Sequence, residues 1–171
     1  MCIRDSDKYL PFWKIICSAE AANAHRANFP SRSEEYGAWF REWLSHGHEV
    51  TADDYIDASR MRSECNGIIR NAFGTIDGFL CQTSINLPHS VDDSISYGPM
   101  DNLRGTSFQR FTVPFDFNGY PTVTLPCGFS DSGMPISMQI VGNLLGEEKI
   151  CRVAAEYESQ SDWSTRRPII S

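Results

Sequence analysis

The sequence holds little lysine. Only Lys8, Lys14 and Lys149 stand among its 15 basic residues, against 22 acidic ones, and the net charge is −7. That balance argues against non-specific binding to nucleic acid or anionic membranes, which needs clustered cations. No apolar run approaches the ~18 residues of a transmembrane helix. There is no Cys-x-x-Cys pair. The six cysteines lie at 2, 17, 65, 81, 127 and 151, widely spaced in a chain long enough to bury a core without disulfide staples. Reduced thiols in a cytoplasmic protein are the expectation. A glycine-rich phosphate loop, a Gly-x-Ser-x-Gly elbow, internal repeats and low-complexity tracts are also missing.

What is present reads as helices, then strands, then a helix, an α/β arrangement in layers. Met1 to Ser6 show no periodicity and resemble a spurious leader, so the natural chain is expected to start near Asp7. Phe12, Ile15, Ile16, Ala19 and Ala22 share one face of a helix from Pro11 to about Asn28, which Pro30 stops. A second helix is expected with Ser33 as its N-cap and Gly47 as its stop, carrying Tyr36, Trp39, Phe40, Trp43 and Leu44 on one face. Thr51 and Asp54 form a variant capping box for a third helix, with Ala58, Met61, Cys65, Ile68, Ile69 and Ala72 inward and Gly74 at its end. Phe79 to Thr83 is a short strand. Residues 86–105 read as a long loop, and Thr106 to about Val113 as a short helix limited by Pro114. Strands span Thr122 to Phe129 and Pro135 to Gly142, with Ser130 to Gly133 as the turn between them. A last helix runs from Glu147 to about Gln160, burying Ile150, Val153, Ala154 and Tyr157, and Trp163 anchors a polar tail.

The side chains alone assemble no complete active site. Ser130 and Ser132 beside Asp131 suit a hairpin turn better than a nucleophile. Cys127, near a bend, is better placed as a small hydrophobe than as a reactive thiol. Among His25, His46, His48 and His89, the pair His46 and His48 lacks a third metal ligand at usual spacing and is expected in a solvated loop. Of the carboxylate pairs Asp53-Asp54, Asp92-Asp93 and Glu147-Glu148, the helical ones suit helix N-termini.

The run from Phe111-Thr112-Val113-Pro114 through Asn118-Gly119-Tyr120-Pro121 to Leu125-Pro126-Cys127-Gly128 resembles the C-terminal part of the amidase signature family. Gly133 to Gly142 is similar to that family's G-x-P-x-x-x-Q-x-x-G strand. Asp162-Trp163 to Arg166-Arg167-Pro168 is similar to its D-W-x-x-R-R-P ending. The likeness covers roughly residues 8–170 and is specific over 111–168.

The resemblance implies the C-terminal portion of an amidase-type mixed β-sheet covered by helices, taking up residues 7–171. It implies hydrolysis of a carboxylic amide through an acyl-serine, by two serines and a lysine that need no cofactor and no metal. Those residues belong to a Gly/Ser-rich signature that is not found here. No catalytic residue is therefore assigned, and the chain alone is expected to be inactive. Gln109, Phe111 and Phe115 are the substrate-pocket candidates. The implied partners are a small amide for the full-length protein and further copies of the chain, without nucleic acid or a membrane span. The glutamyl-tRNA amidotransferases of the same family carry an Asp at the place of Gln109. That departure points away from an amidotransferase role, which stays an alternative beside an inactive interaction module.

Overall fold

The computed structural model describes residues 6–88, 92–98 and 106–167. Met1 to Asp5 of the expected leader lie outside them, while Ser6 opens a 3-10 turn, Ser6–Tyr9. This turn is firmly seated. Tyr9 is fully buried, and Lys8 pairs with Glu64 at 2.6 Å.

Three helices follow: α1 (Leu10–His25), α2 (Ala38–Glu49) and α3 (Ala52–Phe73). α1 stops at His25, short of the expected Asn28, and tight turns carry the chain past Pro30. The second helix corrects two expectations. Ser33–Glu35 form a separate 3-10 turn, Tyr36 is extended, and Gly37 is the N-cap. Gly47 lies inside α2 and is buried. It is needed there because a Cβ on it would sit 2.0 Å from the Ser18 carbonyl oxygen and 2.9 Å from the Ala22 Cβ. Ser18, Ala22 and Gly47 thus let α1 and α2 meet backbone to backbone. The helix-stop reading of Gly47 considers chain direction alone and has no access to this packing.

α3 begins as expected. Thr51 accepts from the Asp54 backbone N–H at 3.1 Å, and the Asp54 carboxylate accepts from the Thr51 N–H at 3.0 Å. This reciprocal pair satisfies two of the orphan donors at a helix start. Ala58, Cys65, Ile69 and Phe73 are its buried face.

The strands are β1 (Gly78–Gln82), β2 (Thr122–Phe129) and β3 (Pro135–Gly142). They form an antiparallel sheet in the order β1-β3-β2. The register pairs Leu80 with Ile140 and Cys81 with Gln139 on one side, and Val123 with Ile140 and Thr124 with Gln139 on the other. Because side chains alternate across a strand, the sheet has two faces. Phe79, Cys81 and Val141 pack with α1 and α3 residues around Tyr9, Ile16 and Ile69. Val123, Leu125, Met138 and Ile140 pack with Ile150 and Ala154 of a helix near the chain end, Glu147–Ser159. Val153, expected on the buried face of that helix, is 51% exposed. The helix lies over β2 and β3 and leaves Leu80 of the edge strand β1 63% exposed.

Between β1 and β2 the loop region contains a short helix α4 (Asp93–Tyr97), where the sequence suggests only loop. The rest of the glycine- and serine-rich stretch, with His89, lies mainly outside the described residues. A 3-10 turn (Thr106–Phe111) then leads into α5 (Val113–Asn118), and the helix Glu147–Ser159 is α6. Pro114 corrects another expectation: it sits in the first turn of α5 and starts that helix. A proline there loses no hydrogen bond, because the first N–H groups of a helix have no partner anyway. Gly119 closes α5 in the left-handed region, φ 76°, and its N–H donates to the Phe115 carbonyl. The hairpin turn at 130–133 is held by the Ser130 hydroxyl, 2.9 Å from that of Ser132 and accepting from the Met134 N–H at 3.1 Å. In the tail, Trp163 meets the Phe129 ring at 6.0 Å, with Arg166 over Phe129.

Candidate functional site

Pro114 and Gly119 hold α5 to a turn and a half, and this short helix forms one side of a cleft of about 430 Å³. The 3-10 turn before it, residues of β2 and β3, and Trp13 of α1 also line it. The volume falls within the range of small-molecule sites, about 300–1,000 Å³.

Gln109, Thr112, Thr124, Gln139, Asp116 and Trp13 give the cleft its hydrogen-bonding side chains. Asp116 is the charged residue of this lining. Trp13 donates its indole N–H to the Asp116 carboxylate, which fixes these two lining side chains against each other. The Thr112 hydroxyl turns back to the Gln109 carbonyl at 3.2 Å. Gln139 is 2% exposed. Its amide nitrogen donates to the Phe111 carbonyl at 2.5 Å and to the Gln82 carbonyl at 3.3 Å.

The three residues proposed from sequence fall differently around this cleft. Gln109 is half-buried and lines it. Phe115 touches it but is 3% exposed, with its ring 5.5 Å from Phe79 in the core. Phe111 is half-buried beside Arg110 and contributes its carbonyl to Gln139. Sequence reasoning missed Trp13, Thr112, Asp116, Thr124 and Gln139. One signal was available: Gln139 stands between Met138 and Ile140 in an otherwise apolar stretch, and a polar residue there must find buried partners.

Two thiols near the site are held protonated. Burial pushes the Cys17 thiol up to about 11, with the Asp116 and Glu20 carboxylates adding to it. Burial also raises Cys81, partly offset by a hydrogen bond with Gln139. Cys127 is the extra residue at the β2 irregularity between Pro126 and Gly128, and its sulfur lies 3.6 Å from the Ile136 carbonyl.

His46 and His48 also depart from expectation. They occupy the last turn of α2, not a loop. Two residues apart on a helix, they point roughly 200° away from each other. His48 stacks on Phe29 at 5.8 Å. Among the described residues, no three His, Cys, Asp or Glu side chains are grouped to hold a metal ion, and no helix is long and apolar enough to cross a membrane.

Comparison with known proteins places the fold. The chain superimposes on a bacterial aryl acylamidase of the amidase signature family with a TM-score of 0.75 and 17% identity, covering 96% of this chain and 37% of that one. It matches 6-aminohexanoate cyclic dimer hydrolase, solved with its substrate, with a TM-score of 0.72 and 25% identity over 95% of this chain and 36% of that one. The A-type component of glutamyl-tRNA(Gln) amidotransferase from Synechococcus sp. (strain JA-2-3B'a(2-13)) is 54% identical over 114 residues, 67% of this chain and 21% of that protein. Its counterpart from Nostoc punctiforme is 32% identical over 117 residues, 68% of this chain and 23% of its own length. The chain thus spans less than a third of these two relatives. A sequence model of the family described as Amidase matches residues 2–151. The chain belongs to the amidase family, the amidase-signature enzymes.

Proposed function

We propose that these residues form the C-terminal part of an enzyme that cleaves carboxylic amides, and that the cleft receives the amide. One observation carries this reading. In a member of the amidase family, the cleft is walled by hydrogen-bonding side chains from separate elements and contains a single carboxylate. Gln109 would contact the substrate directly, Phe115 would form the apolar wall behind it, and Phe111 would act through its backbone. The nucleophile and its base would come from outside this chain, so residues 7–171 supply binding and no chemistry of their own. Cytoplasmic location and function as a reduced protein belong to the same reading.

The test uses the chain as it stands. Titration with butyramide, followed by NMR, should shift the Trp13 indole and Gln109 side-chain signals, while the chain releases no ammonia from the probe. Shifts confined to residues away from the cleft, or turnover by this chain, would overturn the proposal.

A second reading has its own support. The amidotransferase relatives named above include one that is 54% identical over 114 residues. On this reading the full-length protein would release ammonia from glutamine for a partner. L-Glutamine would then shift the same cleft signals at concentrations where butyramide does not.

A further inference from the structure

We infer that Gln139 is a positioning residue that sets the width of the cleft by holding the 3-10 turn (Thr106–Phe111) against the sheet. Three facts carry this. The side chain is almost wholly buried on the central strand. Its amide donates to carbonyls from two different elements, Phe111 in the turn and Gln82 in β1. The turn it holds carries Gln109 and leads directly into Thr112, and both residues line the cleft.

The turn is not a strand of the sheet, so one carboxamide takes the place of a ladder pairing between them. A glutamine suits the position because its NH₂ offers two donors to two carbonyls. Methionine would fill the same space with no donor. Glutamate would fill it with acceptors facing acceptors, unless it kept its proton. Burial would raise that carboxyl above its ordinary range. The titratable and charged groups brought by the surrounding elements are Cys81 from β1, Cys17 from α1, Asp116 from α5 and Arg110 from the turn, the last facing Asp7 at 3.6 Å. Asp116, which shares the cleft lining with this position, would add to that rise, and the Arg110 guanidinium would oppose it. The protonated acid can still donate one hydrogen bond to the Phe111 carbonyl, and the ionised form cannot.

Amide hydrogen exchange on the intact chain tests this without any ligand. The reporter is the Thr112 N–H, which donates to the Gln109 carbonyl at 3.1 Å. In Gln139→Met its protection factor should fall about tenfold, while amides of the β2–β3 ladder and of α3 keep theirs. In Gln139→Glu the protection should be close to that of the parent chain near pH ~5 and lost as pH rises toward ~8, with no such change in Gln139→Met. Butyramide binding should weaken in step. The inference rests on the cleft being the binding site only for that last effect. Because exchange needs no probe, failure of the amide reading and failure of this inference are distinguishable. Unchanged Thr112 protection in Gln139→Met, a pH-independent Gln139→Glu, or an even loss across the ladder and α3 would each overturn the positioning role.

Discussion

Trp13 and Asp116 stand 103 residues apart in sequence and meet in the lining of the cleft, indole N–H on carboxylate. The Trp13 ring also leans on Trp43 at 5.8 Å. One side chain therefore joins α1, α2 and α5. Asp116→Ala should lower stability by roughly 1 kcal/mol, the net worth of one hydrogen bond. Trp13→Phe should cost somewhat more, because ring contact is lost as well. Urea unfolding checks both, and unchanged midpoints would show that the pair contributes only position.

Gly47 predicts a larger effect. Alanine there must push α2 away from the Ser18 carbonyl, and overpacking against backbone should cost roughly 3 kcal/mol or more. Gly67→Ala is the matched control. Nothing lies within 4 Å of the added methyl in the middle of α3, so it should stabilise by about 1 kcal/mol. Thermal melts that move the same way for both variants would refute the packing account.

Acid should weaken the fold through two identifiable carboxylates. The Thr51 hydroxyl and N–H hold Asp54 below the ordinary Asp value, and Lys149 does the same for Asp77. For both, the unfolded chain takes up its proton first. Their contribution is thus present above the unfolded value of about 3.9 and lost as pH falls through the lower folded value. Asp54→Asn and Asp77→Asn should each flatten the dependence of Tm on pH below about 4. A slope identical to that of the parent chain would remove these residues from the account.

The cysteines should react in a fixed order. Cys151 is exposed on α6, whereas Cys17 is half-buried with its thiol pushed up to about 11. Only the thiolate alkylates. Iodoacetamide at pH ~8, followed by peptide mass spectrometry, should label Cys151 well before Cys17. Equal rates would mean that α1 opens readily.

Leu80 marks the most exposed large apolar position of the sheet, on an edge strand that α6 does not cover. Such edges pair with other chains, so concentration-dependent association is the expected behaviour of this chain. Leu80→Lys should reduce it in sedimentation experiments with little change in Tm. A parent chain that remains monomeric at high concentration would count against it.

Local patterns carried most of the elements. The capping box at Thr51, the alternation and turn chemistry around Ser130, and the apolar spacing of α3 all act between near neighbours, and each appears where the residues indicate. The errors share a cause, which is contact between distant segments. Gly47 reads as a stop until Ser18 is known to face it, and Pro114 reads as an end until the turn before it is seen to be separate. Val153 has the right spacing but nothing above it. The cleft was the least legible part, because Trp13, Asp116 and Gln139 acquire their roles only when three remote stretches converge. Gln109 and the phenylalanines were reached through family resemblance and not through any pattern of their own.

The order β1-β3-β2 has a kinetic meaning. β3 is the last of the three strands to be synthesised, yet it is the one both others pair with. The β2–β3 hairpin can form as soon as its turn does, but β1 must wait, since Cys81 and Gln139 are joined only after all the intervening chain exists. Pairings of such long separation slow folding. During translation α1 to α3 therefore emerge with one flank uncovered, and β1 stays without a neighbour until β3 arrives. A chain stopped before residue 135 would carry that unfinished surface permanently, which is where a chaperone would be expected to bind.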